Sequence, residues 1–222
     1  MTYNKTDKNI GVFITFEGGE GSGKSTQIKR LKDYISSLNP ELEIIISREP
    51  GGTEVAEQIR EILVNGAADK LSARAETLLM IASRADHIDR VILPALKRGS
   101  IVLCDRFKDS SIVYQGLANN ISKEEIEKIH NFALKSCEPD LTILLDIPVE
   151  TGIKRALDRN QCDQRFEQKG KKFHTRIRDG YLELASIYPE RIKVIDAGQS
   201  VNFISNEINS LVAPILANRS NR

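Results

Sequence analysis

The sequence predicts an α/β protein built on a doubly wound, five-stranded parallel sheet flanked by helices. Three observations carry this expectation. Five short, apolar, β-branched runs are spread along the 222 residues, near-continuous rather than alternating, as strands covered on both faces must be. Segments with apolar residues at spacings of three and four separate them, which gives a βαβα order and parallel crossovers. Residues 18–25 read Gly-Gly-Glu-Gly-Ser-Gly-Lys-Ser, a complete G-x-x-x-x-G-K-[ST] phosphate loop between the first run and the first helix.

The first strand is expected over 10–16 and the first helix over 26–38, where Ile28, Leu31, Ile35 and Leu38 share one face. Residues 43–47 form the second strand. The stretch 72–97 is helical in pattern, with Leu78, Leu79, Ala82, Ala85, Ile88 and Ile92 as its apolar stripe. Pro94 should kink or end that helix, and Gly99 should stop it. The third, fourth and fifth strands are 101–105, 141–146 and 191–196, ending in Asp105, Asp146 and Asp196. Ligands of such sheets bind at those carboxyl ends. Further helices are expected over 123–136, 149–159, 167–187 and 200–216. Ser122 with Glu125 opens the first of them as a capping box. No repeat or linker interrupts the pattern, so 1–222 reads as one domain.

Lys and Arg number 32 against 31 Asp and Glu, a formal charge of +1, so a strongly basic face is not required and nucleic acid is not the expected partner. No run reaches the roughly 18–20 apolar residues of a membrane span, and the polar N-terminus lacks a signal core. A cytoplasmic, non-membrane protein is expected. Cys104, Cys137 and Cys162 lack metal-ligand spacing, and Cys104, inside an apolar run, is expected in the core.

The chemistry starts at the phosphate loop. The backbone N–H groups of Gly18, Gly19, Glu20, Gly21, Ser22 and Gly23 can turn around phosphate oxygens, Lys24 adds a point charge, and Ser25 offers a hydroxyl to Mg²⁺. The following helix adds its N-terminal dipole. The base-reading Asn-Lys-x-Asp that a G protein carries after a strand follows none of the expected strands. Three clusters of arginine and carboxylate stand instead at 47–53, 105–116 and 154–178. The first, Ser47-Arg-Glu-Pro-Gly-Gly-Thr53, sets Arg48 at a strand end before an irregular turn, with Pro50 able to be cis. In the second, Asp105 follows an apolar run, the Walker B pattern for orienting Mg²⁺, and Asp146 fits that bare pattern equally well. Arg106 beside Asp105 reads as a bidentate fork for phosphate. The third cluster, with Arg155, Arg159 and Arg165, reads as a cationic lid able to close over polyphosphate.

Taken in order, these segments resemble the thymidylate kinase family, of bacterial type. The resemblance rests on the phosphate loop, Arg48-Glu-Pro-Gly-Gly-Thr53, Leu78-Leu79 through Arg84-Ala-Asp-His87, Asp105-Arg106-Phe107 through Tyr114-Gln-Gly116, and Phe173-His174 through Gly180-Tyr-Leu182. It implies the P-loop nucleoside monophosphate kinase fold, a small arginine-rich lid at about 155–172, ATP and Mg²⁺, dTMP as acceptor, and a homodimer with the helix over 72–98 as a candidate interface.

The resemblance also implies roles. Lys24, Ser25 and Thr26 would serve the ATP phosphates and Mg²⁺, and Asp105 the metal. Glu20 would lie near the 3′-hydroxyl of the monophosphate, while Arg106 and Arg48 grip its phosphate. Arg84 would meet the thymine edge, with Ser111, Tyr114 and Gln115 completing the nucleoside pocket. Met80 stands where the family often has an aromatic residue stacking on thymine. The loop has no basic residue between Gly18 and Gly23, which in the family goes with catalytic arginines in the lid; Arg155, Arg159 and Arg165 are the candidates. Gln164 interrupts the lid's usual Asp-Arg pair. An acceptor phosphate with a second pKa near 6 is already nucleophilic at neutral pH, so no general base is expected among His87, His130 and His174. The alternatives are a kinase for a different nucleoside monophosphate or deoxynucleoside, and a nucleotide-hydrolysing switch.

Overall fold

The computed structural model describes residues 10–65, 67, 70–118, 121–134, 137–158 and 170–220. Five strands, β1 (Val12–Glu17), β2 (Ile44–Arg48), β3 (Ile101–Asp105), β4 (Leu141–Asp146) and β5 (Ile192–Asp196), form one sheet in the order β2-β3-β1-β4-β5. All four pairings are parallel. Consecutive residues of β1 point to opposite faces. Val12, Ile14 and Phe16 pack with Ile28, Leu31 and Ile35 of α1 (Lys24–Leu38) and with Ile204, Ile208 and Val212 of the last helix. Phe13 packs the other way, with Ile88, Ile92 and Leu96.

The remaining helices are α2 (Glu54–Val64), α3 (Ala73–His87), α4 (Leu93–Lys97), α5 (Lys108–Ser111), α6 (Lys123–Leu134), α7 (Val149–Leu157), α8 (Lys171–Ile187) and α9 (Val201–Ser220). The expected helix at 72–97 is α3 and α4 joined by a π-helical stretch, Ile88–Ile92. Pro94 lies just beyond it. Lacking an N–H, Pro94 cannot bond the carbonyl of residue 90, and the ladder widens there rather than breaking. Gly99, at φ 80°, follows the end of α4. The capping box forms: Ser122 Oγ accepts from Glu125 N at 3.2 Å, and Glu125 Oε2 accepts from Ser122 N at 3.3 Å.

Two helical segments were not expected from the sequence, α2 and the run from α5 into a second π-helical stretch, Ile112–Ala118. In α2, Val55, Ala56, Ile59, Ile62 and Leu63 share one apolar face at spacings of three and four; of these, Ala56 and Leu63 are buried while Val55 and Ile62 are exposed. Of the expected helix at 149–159, residue 159 lies outside the described residues, as do 135–136 of 123–136 and 167–169 of 167–187.

Strand order reverses beside β1, between β3 and β4. A crevice at the carboxyl ends of those strands is the ligand position of this architecture, and β1 delivers the phosphate loop directly into it.

Candidate active site

The loop after β1 has left-handed or related backbone at Gly18 (φ 137°), Gly21 (67°) and Gly23 (93°), conformations glycine adopts without steric penalty. α1 starts with no side-chain cap, so its first N–H groups are available to an anion. Lys24 lies buried along the loop, its Nζ donating to Gly18 O and Gly19 O, each at 3.2 Å. Burial, and then the Arg106 charge, push the Lys24 ammonium below its usual range. The loop also meets α7 backbone to backbone: a Cβ on Gly21 would sit 2.1 Å from Gly152 O, and one on Gly152 would sit 2.5 Å from Glu20 O.

Ser25, Arg48, Gly52, Glu57 and Asp105 line one cleft of about 480 Å³. β2 and β3 end in register there, Arg48 opposite Asp105. The two candidate aspartates separate at this level. Asp146 has both oxygens taken by Arg178, at 2.7 and 2.8 Å. Asp105 keeps a buried Oδ1 with no hydrogen-bond partner among the described residues. A carboxylate oxygen without a partner, on a residue that lines the same cleft as the exposed Ser25, suits a hard divalent cation. Among the described residues no group of three or more His, Cys, Asp and Glu could hold a metal. Arg48 is half exposed and donates to Glu57 Oε2 at 2.8 Å. Glu57 Oε1 accepts from Gly52 N at 3.0 Å, and Glu49-Pro50 is cis.

Arg106 follows Asp105 with φ 66°. Its Nη2 donates to Glu20 Oε1 at 2.6 Å, and its Nη1 to Gly18 O and Tyr181 OH, both at 3.1 Å. Its guanidinium carbon stands 5.2 Å from the centroid of the Tyr114 ring. Burial would raise the Glu20 carboxyl, but the Arg106, Lys24 and His174 charges outweigh burial and hold it below the usual carboxylate range. Glu20 and His174 share a small cavity of about 20 Å³ with Asp146 and Arg178.

The predicted nucleoside residues come together between α3 and the π-helical stretch after α5. Arg84 is 1 % exposed. It donates to Glu49 Oε2 (2.6 Å), Ser111 Oγ (2.9 Å), His130 Nε2 (3.1 Å) and Phe107 O (2.9 Å), which among the described residues engages four of the five N–H groups of its guanidinium and leaves one on Nη2. Gln115 donates to Glu76 Oε1 at 3.0 Å, while its own buried Oε1 has no partner among the described residues. Met80, one turn before Arg84, and Tyr114 are also buried.

Arg155 donates through Nη1 to Ala197 O at 2.9 Å, after β5, and its Cβ lies beside Gly21. Arg159, Arg165 and the departure at Gln164 lie outside the described residues, so only the two ends of the expected lid at 155–172 are seen.

Several participants were not singled out from the sequence. Glu17, fully buried, accepts from Phe107 N, Ser110 N, Ser110 Oγ and Tyr181 OH. Burial first, then the Asp109 charge, push its carboxyl up to about 7. Glu49 accepts from His87 Nδ1 at 2.9 Å as well as from Arg84. His87 Nε2 faces Ser47 Oγ at 2.7 Å. Burial, helped by the Arg84 and Lys108 charges, lowers His130 to about 3, so it meets Arg84 as a neutral acceptor. Neither Glu17 nor Glu49 belongs to a spacing pattern. Glu49 does lie inside the Arg48-Glu-Pro-Gly-Gly-Thr53 segment, and Glu17 ends an apolar run directly before the loop; those positions were the signals available.

A family model described as "Thymidylate kinase" matches residues 16–208. The thymidylate kinase of Caulobacter vibrioides (strain ATCC 19089 / CIP 103742 / CB 15) is 49% identical over 202 residues, covering 91% of this chain and 96% of the relative. That of Clostridium novyi (strain NT) is 43% identical over 205 residues, covering 92% and 99%. The crystal structure of thymidylate kinase from Ehrlichia chaffeensis superposes with a TM-score of 0.75 at 32% identity, covering 91% of this chain and 98% of that one.

Proposed function

The chain belongs to the thymidylate kinase family, and on that premise we propose how its residues carry the reaction ATP + dTMP → ADP + dTDP, a step toward dTTP. The donor is ATP, with its phosphates in the loop 18–25. Lys24 leaves its carbonyl partners for the β- and γ-phosphates, and the open N–H groups at the start of α1 meet the same charge. Ser25 and Asp105 would hold Mg²⁺, which neutralises and orients the transferring group.

The acceptor phosphate is gripped by Arg106, with Arg48 joining it once released from Glu57. Glu20 takes the nucleoside 3′-hydroxyl. In the nucleoside pocket the remaining N–H of Arg84 donates to a thymine carbonyl, and the open Gln115 Oε1 accepts from the ring N–H. Ser111 holds Arg84, Tyr114 closes the pocket, and Met80 covers the ring face with its thioether. The dianionic phosphate attacks without a general base, so catalysis is positioning and charge neutralisation. Arg155, Arg159 and Arg165 are the arginines of the lid available to the transition state.

The observation that carries this reading is the buried Asp105 Oδ1, without a partner among the described residues, on a residue that lines one cleft with Ser25 and Arg48. A coupled ADP-release assay with ATP·Mg²⁺ against dTMP, dUMP, CMP and free thymidine tests it. Preference for any acceptor other than dTMP would overturn it.

A homodimer belongs to the same reading. The neighbouring helices α2, α3 and α6 expose Val55, Ile62, Leu78 and Phe132, the last at 83%. Light scattering should give twice the chain mass, and Phe132→Glu should shift it toward monomer. A cytoplasmic location belongs to the same proposal, with Cys104 buried as a thiol in the core; no helix among the described residues is long and apolar enough to cross a membrane.

A further inference from the structure

Beneath Arg106 lies a buried carboxylate that the phosphoryl transfer does not use. Glu17 ends β1, and four donors converge on it. Phe107 N (2.8 Å) and Ser110 N (3.3 Å) reach Oε1; Ser110 Oγ (2.6 Å) and Tyr181 OH (2.9 Å) reach Oε2. The same two hydroxyls stand 3.4 and 3.1 Å from Arg106 Nη1 and 2.8 Å from each other. Arg106 has a left-handed backbone, unfavourable for a residue with a Cβ, so its neighbours must hold it. On one side Arg106 N donates to Phe16 O at 2.9 Å; on the other, the next N–H along the chain donates to Glu17.

We propose that Glu17 is a positioning residue for the acceptor phosphate: its carboxylate fixes the Arg106 turn and, through Ser110 and Tyr181, the aim of the Arg106 guanidinium. A carboxylate that merely capped the four-residue α5 would have no use for Tyr181, 164 residues away on α8. It would not need two hydroxyls turned toward one Arg106 nitrogen either. Glu17 touches no substrate; it acts through Arg106. The inference therefore rests on Arg106 gripping the acceptor phosphate.

The test is steady-state kinetics of E17Q, Y181F and R106A, and of the double variants E17Q/R106A and Y181F/R106A. E17Q should lower kcat/KM for dTMP by about 10–100-fold and Y181F by about 3–10-fold, with KM for ATP within about twofold of wild type. Neither should cost more than about twofold further when R106A is already present, because a residue acting through another is non-additive with it. Wild-type dTMP kinetics in E17Q and Y181F would overturn the proposal. So would losses that persist in full on top of R106A, or that fall equally on the KM for ATP. If E17Q does not fold, Y181F and its double variant, which lose a single hydroxyl, decide in the same terms. An R106A enzyme with normal dTMP kinetics overturns the phosphate-grip reading itself; an impaired R106A beside an intact E17Q and Y181F overturns only the role of Glu17.

Discussion

Arg106 reaches across the mouth of the phosphate loop to Glu20, Nη2 to Oε1 at 2.6 Å, although the two are 86 residues apart in the chain. The contact joins a residue of the donor loop to the arginine assigned to the acceptor. Glu20 would otherwise repel phosphate, yet it is the group that steadies Arg106 before substrate arrives. Substituting Glu20→Ala should lower kcat/KM for dTMP by about 10–100-fold, the usual cost of a hydrogen bond to a charged group, with little change in KM for ATP. Steady-state kinetics with dTMP lacking its 3′-hydroxyl sharpens this. The analogue should be poor for the wild type, and Glu20→Ala should cost it less than it costs dTMP, because only the contact to Arg106 is then left to lose.

The two strand-end aspartates should behave differently. Asp105→Asn removes the open carboxylate and should raise the Mg²⁺ concentration for half-maximal activity by about tenfold or more, at nearly unchanged Tm. Asp146→Asn breaks the pairing with Arg178 and should leave the Mg²⁺ titration as it is. Equal Mg²⁺ titrations in the two variants would reverse the assignment.

Lys24→Met should separate stability from turnover. The ammonium is buried and depressed by burial and by Arg106, so an apolar side chain of similar length should leave Tm unchanged or higher. Turnover should drop by about 10²-fold or more as transition-state charge loses its partner. Thermal melts and single-turnover rates on one preparation check both halves.

Glu17 makes stability depend on pH in a stated direction. Burial and Asp109 raise its carboxyl from 4.5 to about 7. A carboxyl raised on folding favours the protonated, folded form. That stability is fully present below about 4.5 and is lost as pH rises through 7. E17Q cannot lose a proton, so Tm of E17Q minus Tm of wild type should climb by on the order of 5 °C between pH 4.5 and 7.5. A flat difference would mean that Glu17 keeps an ordinary carboxyl.

What could be read from the sequence is what is local in the chain. The phosphate loop is contiguous, and β1, β3 and β4 are near-continuous apolar runs buried on both faces. The edge strands β2 and β5 keep β-branched runs although partly exposed, so strands and loop were legible to within two residues. The stretch from Lys108 to Ala118 was not, because its π-helical part has a longer turn than the 3.6-residue period sought. The choice between Asp105 and Asp146 was not legible either, since it depends on Arg178, 32 residues beyond Asp146. Nor was the burial of Arg84, whose partners Glu49, Phe107, Ser111 and His130 come from three separate segments.

Gly21 and Gly152 have one further consequence. A side chain on Gly21 would need the volume of the Gly152 carbonyl, 131 positions further along the chain, and one on Gly152 would need that of the Glu20 carbonyl, beside Gly21. In the space of permitted substitutions they are a single site: a methyl group at either one must displace a main chain rather than a movable side-chain tip. The root of α7 thus shares its tolerance to change with the loop at 18–25, and a library varied at either position alone should return glycine.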